Sequence, residues 1–268
     1  MKRILNALLV CLLAVFAFAC TNVNDVGKLS KGKNVSAVFV GIDKQPFSGK
    51  RDSIDTIWIY YDDGTFEQYA EVENELVSFS QGIYYFENNG NFVDGKKDHS
   101  KGQIVINRNK KYQIGKGLAD YSSLHTYDLY SIGYEPIYLY EVGKTKMLAI
   151  FIGDNKQYFI NNNRRQYLDT LWMFFDDNRF MQYTEIGREI KEFSEGTYEF
   201  NGNASFVNYA KHKEEGQIII SREKIYKDKK GLVNSLSVHN YDLNTLGFKC
   251  VWVREWLKEI HNGYIYWV

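Results

Sequence analysis

Proline and cysteine are scarce in this chain: two prolines and three cysteines among 268 residues. Proline removes a donor from any ladder it enters, so its scarcity leaves long stretches of backbone free to pair. The cysteine count excludes a disulfide-stapled scaffold, and stability has to come from a packed core. Net charge is absent as well, because 33 Lys and Arg offset 33 Asp and Glu. No global positive field gathers phosphates, so nucleic acid is not expected as a partner. Signature motifs are missing too: no H-E-x-x-H, G-x-S-x-G, C-x-x-C or G-x-G-x-x-G occurs, and the GKG at 115–117 lacks phosphate-loop spacing. No cofactor, metal site or catalytic residue is expected, and the prior moves away from an enzyme.

What the chain does have is aromatic surface. Aromatic residues make up 16% of it, with 21 Tyr and 17 Phe, inside an apolar fraction of 44%. Aromatic and β-branched residues suit a pleated, half-buried surface, which points to strands. No segment carries a long helical period; REWLKEIH, from Arg254 to His261, is the best short candidate for a helix.

Lys2 and Arg3 precede an apolar run from Ile4 to Ala19, broken only by Asn6 and ending in AFAC at Ala17–Cys20. The run is short for a spanning helix, which needs roughly 20 apolar residues. This start resembles a bacterial lipoprotein signal, with Ala17 in place of the more usual Leu. The resemblance implies removal of residues 1–19, lipidation (palmitate among the acyl chains) of Cys20, and an address in the bacterial cell envelope, periplasmic or surface-exposed. An ordinary secretory peptide cut near Ala19 is the alternative. Cys11 leaves with the signal and Cys20 takes the lipid, so Cys250 alone stays free. Lys2 and Arg3 leave too, so the remainder stays almost neutral. Residues 20–34 are polar and aperiodic and read as a tether reaching roughly 20 Å from the membrane by random-coil scaling.

The strongest signal is a duplication. DTIWIYYDDGTFEQYAE from Asp55 recurs as DTLWMFFDDNRFMQYTE from Asp169, an offset of 114 residues. The same offset carries GQIVI (Gly102) onto GQIII (Gly216), Lys116-Gly-Leu onto Lys230-Gly-Leu, and HTYDLYSIGY from His125 onto HNYDLNTLGF from His239; about 34 of some 80 positions match. Units this long are domains rather than solenoid repeats. Asp62-Asp63-Gly64 and Asp176-Asp177-Asn178 mark hairpin turns. SAVFVGI, ELVSFS, GIYYFE, QIVIN, SLHTYDL and PIYLYEV are further candidate strands, and residues 87–101 form the one long loop. The expected fold is all-β: two tandem homologous antiparallel β-barrel or β-sandwich domains at 35–142 and 146–257, with a tail at 258–268. The recurring G-x-Y-x-F (Gly82, Tyr84, Phe86; Gly196, Tyr198, Phe200) and the late GQIxI strand resemble the small lipocalin-like domains of exported bacterial lipoproteins. They also resemble duplicated lipoproteins, a family that brings no activity with it.

Four residues stand out as candidate binding residues: His125, His239, Trp58 and Trp172. Each has a bland reading beside the functional one. A repeated histidine is more often a hydrogen-bonded, partly buried scaffold residue, and a strand tryptophan is more often core. Asp128, next to His125, faces away from it in an extended strand and suits the cap of a short turn, which Gly133 would end. The run Arg108–Tyr112, repeated at 222–226, joins basic and aromatic residues that could bind an anionic ligand, but without a phosphate loop it reads rather as a solvated connection. Asp62, Asp63 and their copies read as turn builders. YIYWV at 264–268 reads as an extra strand or an association edge. The expected activity is non-enzymatic binding, of an apolar small molecule, a glycan or an envelope protein. A hydrolase using the repeated histidines, and a structural subunit of the envelope, are the alternatives.

Overall fold

The computed structural model describes residues 30–31, 33–47, 53–72, 75–130, 134–161, 164–202, 204–206, 217–242, 249–255, 258–261 and 264–267. Residues 1–29, which hold the run read as a signal and Cys20, together with Gly32, Gly133 and residues 243–248, lie outside them. The chain is nearly all β, with two antiparallel seven-stranded sheets in tandem.

In the first repeat β2 (Val35–Pro46), β3 (Ser53–Tyr61), β4 (Thr65–Val72), β5 (Glu75–Phe86), β6 (Gln103–Gln113) and β7 (Gly117–Asp128) form a meander. A short β8 (Glu135–Leu139) returns to pair with β2, so the order is β7-β6-β5-β4-β3-β2-β8. The second repeat copies this order with β9 (Met147–Asn161), β10 (Arg164–Phe175), β11 (Arg179–Ile186), β12 (Glu189–Phe200), β13 (Gln217–Lys227), β14 (Gly231–Asp242) and β15 (Lys249–Glu255). Within the segment read as a tether, Ser30–Lys31 form β1, which pairs in parallel with β15 at the edge of the second sheet. The tail holds a separate hairpin of β16 (Lys258–His261) and β17 (Tyr264–Trp267). REWLKEIH is therefore not a helix; its described residues belong to β15 and β16. ELVSFS and GIYYFE are one strand, and residues 87–101 contain a single-turn-and-a-half helix, α1 (Phe92–Lys97), capped by Asn91.

Each sheet curls. Phe39 on β2 and Tyr130 just beyond β7 have ring centroids 5.8 Å apart, although β2 and β7 are five places apart in the sheet. In a flat sheet that separation would be about 24 Å. β-Bulges bend and twist the strand they interrupt. They include those at Gln68/Tyr69, Gln81/Gly82 and Arg108/Lys110, and again at Gln182/Tyr183, Glu195/Gly196 and Arg222/Lys224. Gly82 is required at its bulge, because a Cβ there would sit 2.0 Å from the Asn107 carbonyl oxygen. The hairpin turns are repeated in detail as well. Gly64 (φ 78°) and Asn178 (φ 63°) take the left-handed conformation. Asp63 Oδ1 accepts from Thr65 N at 3.0 Å, and Asp177 Oδ1 from Arg179 N at 3.2 Å. Asp62 and Asp176 instead tie their turns to Asn34 N and Lys146 N, each at 3.0 Å. These carboxylates build turns, as their spacing suggested.

The concave faces are filled. In repeat 1 the core gathers Phe39, Trp58, Tyr60, Phe66, Ile104 and Ile106. Phe92 of α1 plugs the middle, 5.0 Å from Tyr60 and 4.8 Å from Phe86 between ring centroids. Phe206 does the same in repeat 2, 4.7 Å from both Phe174 and Phe200. The convex faces are apolar too and pack against each other. Val38, Ile59, Tyr61 and Tyr69 from repeat 1 share one buried cluster with Ile150, Leu171, Met173 and Trp252 of repeat 2. This is why TIWIYY and TLWMFF are almost continuously apolar rather than alternating: both faces of these strands are buried. Free Cys250 lies in the repeat 2 core, where burial pushes its thiol up to about 12 and leaves it unreactive.

Removing the plug should be costly. Phe92→Ala is expected to lower stability by about 3–5 kcal/mol, read from the midpoint of denaturant unfolding. Phe206→Ala should cost a similar amount, because the packing is the same.

Candidate functional site

Two features collect the chemistry. The first is an arginine–aromatic ladder on the concave face of each sheet. Ile104, Ile106 and Arg108 alternate inward along β6, so the strand periodicity carries a guanidinium into the core. Arg108 and Arg222 are only 6% and 7% exposed. The run 108–112 is therefore not a solvated connection; it is the second half of β6 and begins with a buried cation. Arg108 Cζ stands 5.2 Å from the Trp58 ring and 5.8 Å from the Tyr127 ring, and Nη1 donates to Tyr127 Oη at 3.3 Å. Arg222 repeats this with Trp172 (5.5 Å) and Tyr241 (5.8 Å), donating to Tyr241 Oη at 3.1 Å. It also donates from Nε to Ser194 Oγ at 3.4 Å, and Ser194 in turn donates to the buried Gln182.

Among the described residues no carboxylate pairs with either arginine. Cation–π contacts are worth about 0.5–2 kcal/mol each. Withdrawing an ion from water costs several kcal/mol. Aromatic faces and a few hydroxyls therefore offset only part of the burial cost.

The four candidate residues of the sequence sort themselves around this ladder. Trp58 and Trp172 are 5% exposed and stack on the arginines. His125 and His239 are exposed at the outer end of the same ladder, not partly buried as expected. Their rings lie 5.9 Å from Tyr127 and 5.7 Å from Tyr241. Burial, then the field of Arg222, lowers the His239 pKa. Asp128 does not join His125: it accepts from Tyr130 N at 3.1 Å, the expected turn cap, and approaches His99 at 4.0 Å. The sequence marks the runs that begin at Arg108 and Arg222, but not the burial of these two arginines. The available signal was their phase, two residues after an inward isoleucine in a strand.

The second feature is a half-open pocket between the repeats, about 610 Å³ when the solvent at its mouth is included. Its lining obeys the duplication: Ile57 faces it with Leu171, and Tyr69 with Tyr183. Leu76 and Ile190 match in the same way, as do Glu71 and Glu185. The pocket thus sits on the pseudo-twofold relation between the repeats, where their convex faces part. Each concave face is meanwhile closed by its own phenylalanine plug.

Behind Tyr183 on the neighbouring strand lies Glu192. One of its oxygens is sealed from solvent without a partner. Burial, then the hydrogen bond and charge of Glu195, push the Glu192 carboxyl up to about 7, while the bond from Lys224 holds Glu195 low.

No group of three His, Cys, Asp or Glu able to hold a metal occurs among the described residues. No described helix is long and apolar enough to cross a membrane. No protein-family model and no curated protein matches the chain.

Glu192 gives a pH prediction. Its folded pKa is raised above the ordinary glutamate value, so the folded state holds the proton more tightly. Its contribution is complete below about pH 4.3, the unfolded value, and is lost as pH rises through about 7. Thermal unfolding should show lower stability at pH 8 than at pH 5 from this group, and Glu192→Gln should flatten that slope.

Proposed function

We propose that this protein is a non-enzymatic binding module, held to the bacterial cell envelope by lipid on Cys20. Its small-molecule site is the pocket between the two repeats. The observation that carries the reading is the pocket's paired apolar lining beside two plugged concave faces. The ligand space moves from a barrel interior, the first expectation, to the seam between barrels-in-part. An apolar ligand of modest size fits the isoleucines, leucines and tyrosines there. A hydrolase gains no support from this geometry, since the exposed histidines meet tyrosines and not carboxylates.

The anchor rests on the basic start, the apolar run and the small residues before Cys20. Several acyl chains on one residue give stable membrane attachment where a single chain does not. Cys20→Ala is expected to move the protein from the membrane fraction to the soluble fraction of the producing bacteria and to abolish labelling by palmitate. Unchanged fractionation of that variant would sink the anchor.

The pocket is tested with an uncharged solvatochromic dye. Saturable binding of one dye per chain is expected, because one pocket lies on the relation between two repeats; occupied concave faces would take two. Leu76→Trp with Ile190→Trp should weaken dye binding more than tenfold with the unfolding midpoint nearly unchanged. Dye affinity untouched by filling the pocket would count against it.

A further inference from the structure

We propose that Arg108 and Arg222 each anchor an anion-binding cleft, one per repeat, that takes the carboxylate, sulfate or phosphate group of a ligand. This site is separate from the pocket between the repeats and does not depend on it. Four observations converge. Each arginine is more than nine-tenths buried yet has no acid partner among the described residues. Most of its N–H donors find no acceptor there: Arg108 uses one toward Tyr127, and Arg222 two, toward Tyr241 and Ser194. A further donor waits beside it in repeat 1, for Ser123 is the cross-strand neighbour of Arg108 and its hydroxyl is sealed from solvent without a partner. Finally, the charge is felt at the open end of the ladder, where Arg222 lowers the pKa of exposed His239.

The chemistry that satisfies such a site is an oxyanion. A planar guanidinium with free donors matches two oxygens of one group, and charge-assisted hydrogen bonds are the strong ones. Arg108 or Arg222 would hold the anion, with Tyr127 or Tyr241 as wall and hydroxyl donor. The imidazole of His125 or His239, lying against that tyrosine at the rim, would meet the body of the ligand. An arginine kept only to brace the core would have the same aromatic neighbours, so the test must separate bracing from binding.

Histidine-labelled protein is titrated with acetate, sulfate and inorganic phosphate, against chloride at matched ionic strength, and the His125 and His239 resonances are followed. At least one oxyanion is expected to move both resonances saturably at millimolar concentration and to raise the pKa of His239, as its repelling neighbour is neutralised. Arg222→Met should abolish the response of His239 and leave that of His125 intact, so the first repeat reports that the variant is folded. Arg222→Lys keeps the charge but loses the fork, and should bind at least tenfold more weakly. The same oxyanion should raise the melting temperature of the native protein, because binding to the folded state alone stabilises it. A bracing role is the conclusion, and the proposal fails, if no oxyanion moves His239 beyond chloride up to tens of millimolar. It fails equally if Arg222→Met responds as the native protein does. Because the readout is at the histidines, failure of dye binding in the other pocket leaves this result interpretable.

Discussion

The structure depends on burying both faces of the same strands. β3 and β10 each place tryptophan and aromatic residues on a concave face while placing Ile59 or Met173 on the convex one. A sheet with two apolar faces cannot stand in water with only one covered. The concave face is closed by a plug from its own repeat, Phe92 or Phe206, and the convex face by the other repeat. Each repeat is thus complete inside and incomplete outside, and duplication supplies the missing surface. Tyr69 even crosses the seam, donating from its hydroxyl to the Val251 carbonyl at 3.4 Å. The pocket is a consequence of the same packing: two curled sheets touch along part of their convex faces and part where they bend away.

Curvature is what links local sequence to this arrangement. Bulges at equivalent positions in the two repeats bend the meander so that side chains from distant strands converge. Arg108 on β6 reaches Trp58 on β3 only because the sheet between them curls. The same bend draws Tyr127 and His125 into one line with them, with Trp58 at the buried end and the histidine at the wet end. A cation deep in this line is supported by aromatic faces, which suit a charge that must stay available. A carboxylate in the same place would have neutralised it.

The two repeats have also diverged where they no longer need to match. Glu192 and Glu195 in repeat 2 stand where repeat 1 has Ser78 and Gln81, while Lys224 keeps its counterpart Lys110. The paired carboxylates give the second repeat a glutamate held above its ordinary pKa, beside Tyr183, that the first repeat lacks. The arginine ladders, turns and plugs have not diverged in this way, which separates what the shared fold and its clefts require from what only one side of the interface requires.

Much of the fold was legible in the chain. The 114-residue offset, the Asp-Asp-Gly and Asp-Asp-Asn turns, the strand-like composition and the turn-capping role of Asp128 are local or repetitive signals, and local backbone chemistry dictates them. The burial of both tryptophans was legible too. Less was visible of the site. The repeat marks His125 and His239 as a pair but not their surroundings, because strand alternation gives a side chain's face and not its depth: His125 and Arg108 lie on the same face, one exposed and the other buried. The helix-like REWLKEIH became strand, since pairing across a sheet overrides a weak local period. Sequence alone therefore determined the duplicated all-β architecture and its turns, whose causes lie within a few residues of one another. Only the tertiary structure decided that the convex faces join, that a pocket opens between them, and that two arginines are buried among aromatic rings, because each depends on how far the sheets curl and which distant strands then meet.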